Sequence, residues 1–466
     1  MRDRQGLEMT AATAAAVQHY DRAVDALLHF RPAMLEEADA ARRVDPACPM
    51  AAALGAYLRL LSTEPADGAE ARRILGDYRK AARGPAGPRE EAHVLAAEAL
   101  AGGDMHAGGG VLRALTREHP RDVLALAVGH QVDFFTGDAL SLRDRIAEAL
   151  PAWPADDPHR SLVLGMLAFG LEEAGDYVRA EEVGREAVER DPADVWGIHA
   201  VAHSYEMRAR VGDGLRYLDA RRVAWGADTT LTVHTWWHHA LFRLEAGDVE
   251  GVLRTHDERI HHAGSPGLAL ELLDGSALLW RLWLDGHDVS TRWRRLAAAW
   301  DAQVAEPAYA FNDLHAVMAW VGAGEEARAA ALIAERERWL ARPRPGCSNY
   351  AMTARIGLPA CRAVLAFARG RHAEAVDLLY PIRHHLNEFG GSHAQRDVLQ
   401  RTLLECAFRA GRRELAAALV AERLHVKPDS PWNWAQQARL SGVLGDPEGE
   451  ARARERETAL RRAAAG

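Results

Sequence analysis

Four histidines pose the chemical question. His199 and His203, and again His234 and His238, stand four residues apart. On a helix this spacing stacks two side chains on one face, about 6 Å apart. Paired imidazoles at i and i+4 are a common way for a helix to present nitrogen ligands to a metal or to manage a proton. Imidazole backed by carboxylate suits zinc, iron or another first-row ion, and Glu206 and Asp274 could supply that backing. His199, His203, His234 and His238 are therefore candidate metal ligands, and Glu206, His203, His238 and Asp274 candidate acid–base groups. Trp237, Arg281, Asn312, Asp313, His315 and Arg396 join all of these as candidate ligand-binding residues, since polar groups left unpaired inside a helical array would cost about 1–3 kcal/mol each. Three roles stay open: a hydrogen-bonded lining that fixes helix register, recognition of a ligand, and metal or acid–base catalysis. No His-Glu-x-x-His motif decides the matter.

The elements that must position these groups are marked along the chain. Gly-Asp recurs at Gly103-Asp104, Gly137-Asp138, Gly175-Asp176, Gly212-Asp213, Gly247-Asp248 and Gly445-Asp446, with gaps of 34, 38, 37 and 35 residues across the first five. Glycine takes the left-handed conformation that closes a helix, and the following aspartate can cap the next one. Each dipeptide thus predicts a tight turn inside a helical hairpin, and a period near 34 is the tetratricopeptide signature. In 161–194, Leu164, Leu167, Ala168 and Leu171 occupy first-helix packing positions, Ala180 and Ala187 the small second-helix positions, and Pro192 the terminal proline. Gly370 and Gly411 extend the pattern, and Gly286 and Gly324 mark turns where it loosens.

The expected fold is all-α: a tetratricopeptide-type α-solenoid, a right-handed superhelix of about ten antiparallel helix pairs. One continuous array over 1–466 is expected, with regular repeats at about 20–260, looser ones at about 261–345 and C-terminal ones at about 350–466. Counting back from the turn glycines Gly212 and Gly247, the two histidine pairs fall thirteen and nine residues earlier in both hairpins. Equal phase directs all four imidazoles to one concave wall. Glu206 follows one turn on.

Longer segments carry a resemblance. Asp194-Val-Trp-Gly-Ile-His-Ala-Val-Ala-His-Ser-Tyr-Glu-Met207, His234-Thr-Trp-Trp-His-His-Ala-Leu241, Leu278-Leu-Trp-Arg-Leu282, Phe311-Asn-Asp-Leu-His315 and Gly390-Gly-Ser-His-Ala-Gln-Arg-Asp-Val398 resemble the tetratricopeptide repeat protein 38 family, in order from about residue 110 to 425. The resemblance implies an α-helical repeat fold in a soluble protein and brings no settled reaction. Arg208-Ala-Arg210 departs from it, since glycine is expected before the arginine.

Ser392 and Gln395 are spaced as a capping box, with Arg396 on the first helical turn, where it could hold a ligand carboxylate or phosphate. Gly108-Gly109-Gly110 lacks the Lys-Ser/Thr of a phosphate loop, and no Gly-x-Ser-x-Gly elbow is present. The cysteines, Cys48, Cys347, Cys361 and Cys406, lack metal-site spacing and read as free thiols of a reducing, cytoplasmic compartment. A net charge of −9 without a basic stripe argues against nucleic acid as a partner. No run approaches a membrane span in length, so no membrane partner is expected.

The expected function is a tetratricopeptide-repeat binding protein whose His/Trp/Asp-lined concave pocket takes a small molecule or peptide. The alternative is an enzyme with its active site in that pocket, with or without a metal held by the His and carboxylate ligands, acting on a small polar metabolite. Self-association through the end repeats stays open.

Overall fold

The computed structural model describes residues 1–465, which form helix after helix from Ala14 to Ala465. The only strand-type pairing among them is an isolated bridge between Arg2 and Glu8. The chain is a tetratricopeptide-type α-solenoid.

Each hairpin divides its work between two unlike helices. Arg160–Glu173 buries every residue from Ser161 onward, whereas its partner Tyr177–Arg190 buries only Ala180, Gly184, Ala187 and Val188. The apolar first helix therefore forms the inner layer, and the amphipathic second helix covers it with its polar face in water. Small residues set the spacing between layers: Ala180 and Ala187 are fully buried, and a Cβ at Gly184 would come within 2.6 Å of Val201 Cγ2.

The turn grammar holds at Gly103, Gly137, Gly175, Gly247 and Gly445, all left-handed, and Gly286, Gly324, Gly370 and Gly411 share that conformation. Asp104, Asp138, Asp176, Asp248 and Asp446 each accept the backbone N–H three residues on. At Gly212 the expectation fails. Gly212 lies inside the helix Val211–Ala220, and the left-handed turn falls on Ala209, φ 52°. Tyr205 O accepts Arg210 N–H across this turn, and Asp213 pairs with Arg210 and Arg216 instead of capping.

Later parts of the coil lie directly on earlier ones. Phe30 O accepts Thr230 N–H at 2.7 Å, Thr63 Oγ1 pairs with Asn312 Nδ2 at 3.0 Å, and Gly103 O accepts Ser348 N–H at 2.9 Å. The helix His393–Arg409 packs against both Val195–Met207 and Ala269–Leu284, filling part of the concave side. Its start is the expected capping box, with Ser392 Oγ accepting Gln395 N–H at 3.2 Å and Gln395 Oε1 accepting Ser392 N–H at 2.9 Å. Gly390, at φ 85° and ψ −160°, leads into it where a Cβ would overlap Tyr309 Oη. The final helix, Pro447–Ala465, packs on Pro431–Leu444 and reaches back to the helices of the middle repeats.

Three smaller expectations resolve here. Gly108-Gly109-Gly110 lies within the regular helix Met105–Glu118, where Gly109 O accepts from Arg145. All four cysteines are free. One continuous helix, Ser348–Ala368, is long and apolar enough by composition to span a membrane, mean hydropathy 1.3, but 67% of that window is buried inside the protein.

Candidate functional site

The four histidines meet. His199 and His203 rise from Val195–Met207, whose first turn is capped by Asp194 accepting Gly197 N–H at 2.8 Å, and His234 and His238 rise from Thr232–Ala246. Ring centroids lie 4.3 Å apart for His203 and His238, 4.4 Å for His199 and His203, and 4.9 Å for His199 and His234. One nitrogen from each ring falls within 4.8 Å of the other three. Because the first turn closes at Ala209 instead of Gly212, the pairs are three residues out of equal phase. Three residues are nearly one helical turn, so convergence survives.

Hydrogen bonding fixes which nitrogens converge. His234 Nδ1 lies 2.9 Å from Asp274 Oδ2, and His238 Nδ1 lies 2.9 Å from Glu206 Oε2. An ionised carboxylate only accepts, so each Nδ1 carries the proton and each Nε2 is left with its lone pair. Yet His234 Nε2 sits 3.2 Å from His238 Nε2 and 3.1 Å from His199 Nε2. His199, whose Nδ1 has no partner, can donate its Nε2–H to His234, but His234 and His238 then face each other lone pair to lone pair and repel unless a proton or a metal cation lies between them. His203 Nδ1 stands 3.5 Å from the carboxylate of Glu172, and neither its two ring nitrogens nor His199 Nδ1 has a hydrogen-bond partner. Burial, then the neighbouring imidazoles, pushes His199 and His238 well below the usual histidine range, and burial brings His203 down to about 4. The result is four converging imidazoles, three of them held neutral by burial, with carboxylates behind them, a donor set that fits a divalent first-row ion.

Sequence reasoning missed Glu172 and Glu173. Glu172 is fully buried with both oxygens unpartnered, and its carboxyl is pushed up by burial and then by Glu173. Against the same burial, His393 and Arg396 hold Glu173 below the usual carboxylate range. The available signal was an acidic pair continuing the buried run that ends at Leu171, just before the turn at Gly175.

A cavity of about 300 Å³ ends on His199, His203 and His234. Leu58, Phe134, Leu162, Met166, Phe169 and Trp196 form walls, while Glu64, Asp67 and Glu271 also line it. Burial, then Asp274 and Glu64, pushes the Glu271 carboxyl up to about 7. Leu35, Leu268 and Leu270 in the same lining are among the exposed large apolar side chains. His238, Glu206 and Asp274 stand behind the histidine floor, and Trp237 stacks on His234 at 5.3 Å and 17°.

The other predicted residues serve elsewhere. Arg281 lies over Trp237 but donates to Ala277 O and Ala394 O, tying Ala269–Leu284 to His393–Arg409, and burial brings it down to about 10. Asn312 ties to Thr63, and Asp313 takes both nitrogens of a two-pronged contact from Arg336 at 2.8 Å. His315 Nδ1 pairs with Phe311 O at 2.8 Å. None of these four lines the cavity. Arg396 is engaged by Glu173 and Gly391 O and borders a different cleft, of about 450 Å³, with Arg383, Arg423 and Lys427. Arg281, Asn312 and Arg396 fasten distant parts of the coil together, Asp313 ties the two helices of one hairpin, and His315 pairs within its own helix.

No family model matches the chain. Among solved structures, the human IFIT1 dimer with m7Gppp-AAAA aligns at 12% identity over 97% of this chain and 91% of that one, TM-score 0.38. An IFIT1 monomeric mutant with Gppp-AAAA aligns at 12% identity over 99% and 98%, TM-score 0.41, and the APC/C hetero-tetramer Cut9-Hcn1 at 10% over 96% and 94%, TM-score 0.36. The exclusion of nucleic acid drawn from net charge is corrected. The IFIT1 structures hold m7Gppp-AAAA, Gppp-AAAA and PPP-AAAA.

Proposed function

We propose that this repeat protein binds a small molecule in the apolar cavity, above a first-row transition-metal ion held by His199, His203, His234 and His238. The observation that carries it is the meeting of Nε2 atoms at 3.1 and 3.2 Å while Asp274 and Glu206 claim the opposite nitrogens of His234 and His238. Such an ion supplies Lewis acidity. The enclosing coil and the cavity of about 300 Å³ suit a small molecule better than a peptide. They also favour the enzymatic reading, with Glu172 beside His203 as the nearby acid–base group. The apolar walls point away from a small polar metabolite. Similarity to the tetratricopeptide repeat protein 38 family and a cytoplasmic setting belong to the same proposal.

Elemental analysis of tag-free protein tests the metal. The expected result is about one equivalent of a single first-row ion, abolished in His203→Ala/His238→Ala with helical content unchanged. Less than about a tenth of an equivalent, even after reconstitution with zinc, iron, manganese, cobalt and copper in turn, would overturn it.

A further inference from the structure

The charges lining the histidine-floored cavity are one-sided. No lysine or arginine lines it, whereas Glu64, Asp67 and Glu271 do. In a protein with 57 Lys and Arg residues, that exclusion shapes what can enter. An anion would meet three carboxylates and find no counter-charge, and burying it unpaired is prohibitive.

The carboxylates are not equally occupied. Glu64 Oε1 accepts Ala269 N–H at 2.8 Å and so holds the start of the helix Ala269–Leu284. Glu271, one turn before Asp274 on that helix, keeps its Oε2 buried without a hydrogen-bond partner. A carboxylate left without a donor beside an apolar cavity is completed by a donor on the occupant. Aromatic faces supply the rest: Phe30 stacks on Trp196 at 5.1 Å and 13°, and Phe169 lies 4.7 Å from Trp196, all three lining the same space. Such faces attract cations and pack against apolar bodies.

We infer that the cavity takes a small apolar amine, its body among Phe30, Phe169 and Trp196 and its nitrogen donating to Glu271. This rests on the reading of the cavity as the ligand site and is independent of whether the histidines hold a metal.

The test is a matched series, 4-phenylbutylamine, 4-phenylbutanol and 4-phenylbutyrate, titrated by calorimetry into metal-free and metal-loaded protein. The expected order is amine above alcohol by about tenfold, as a charge-assisted hydrogen bond implies, with the carboxylate weakest. Glu271→Gln should bring the amine down to the alcohol and leave the alcohol unchanged. A carboxylate that binds as tightly as the amine, or no binding by any of the three, would overturn the inference. So would an amine preference seen only in metal-loaded protein and untouched by Glu271→Gln, which would transfer recognition to the metal and leave that proposal standing. An amine preference in protein that takes up no metal would uphold the inference while removing the metal. Should Glu271→Gln fail to fold, the order of the three ligands on the unaltered protein decides alone.

Discussion

Two buried clusters of histidine and carboxylate invite comparison. Near the N-terminus, Asp122 accepts from Arg89 Nε at 2.6 Å and pairs with His93 Nε2 at 2.9 Å, and Asp3 takes a second nitrogen of Arg89 at 3.3 Å. Both ring nitrogens of His93 are engaged, the second facing Tyr57 Oη at 3.3 Å. In the middle of the chain, the histidine cluster leaves His203, His199 Nδ1 and both oxygens of Glu172 without partners. Burial is alike in the two. The first cluster uses its hydrogen-bonding capacity to hold helices together, and the second keeps capacity in reserve, which marks a site.

Breaking the satisfied cluster should have the largest effect on stability. Asp122→Asn leaves Arg89 buried with much of its counter-charge gone, and a loss of about 3–5 kcal/mol is expected in denaturant unfolding. His93 and Arg89 overcome burial to hold Asp122 below the usual carboxylate range. A depressed folded pKa gives stability that is fully present above the unfolded value near 4 and is lost as pH falls through the folded one. Acid titration of unfolding should therefore show a slope in the parent that is reduced in Asp122→Asn.

The reserved cluster should respond to metal. Removing the ion with a chelator is expected to lower stability by about 3–4 kcal/mol where free metal stood at 100 to 1,000 times its dissociation constant. His203→Ala/His238→Ala should show no such chelator response in thermal melts. Smallest of all, Glu172→Gln keeps shape in a position without partners, and a change within about 1 kcal/mol is expected. A collapse of the fold in Glu172→Gln would erase the contrast between the clusters, making the second as structural as the first.

Local order was readable in advance, and long-range order was not. Turns at Gly103, Gly137, Gly175, Gly247 and Gly445 follow from residues a few positions apart, as does the Ser392–Gln395 cap. The meeting of the four histidines was also legible, although the turn at Ala209 shows that the count behind it was three residues out. Arg281, Asn312, Asp313 and His315 were grouped with the site because polarity inside a solenoid suggests a ligand. For Arg281 and Asn312 the partners, Ala394 O and Thr63, are set by how the superhelix winds, which no hairpin-length pattern encodes, whereas Asp313 and His315 are satisfied by Arg336 in the same hairpin and by Phe311 O in the same helix. Glu172 and Glu173 escaped because an acidic pair near a helix end usually faces water.

The bonds between distant turns carry a consequence for how this protein comes apart. Simple repeat arrays contact only their neighbours and can fray from either end. Here Phe30 is tied to Thr230 across 200 positions, Thr63 to Asn312 across 249, and Glu173 to His393 across 220. A spring whose coils are sewn together cannot unzip one loop at a time. Its melting should be a single event, its refolding slow for so helical a chain, and passage into its interior a matter of loosening a stitch.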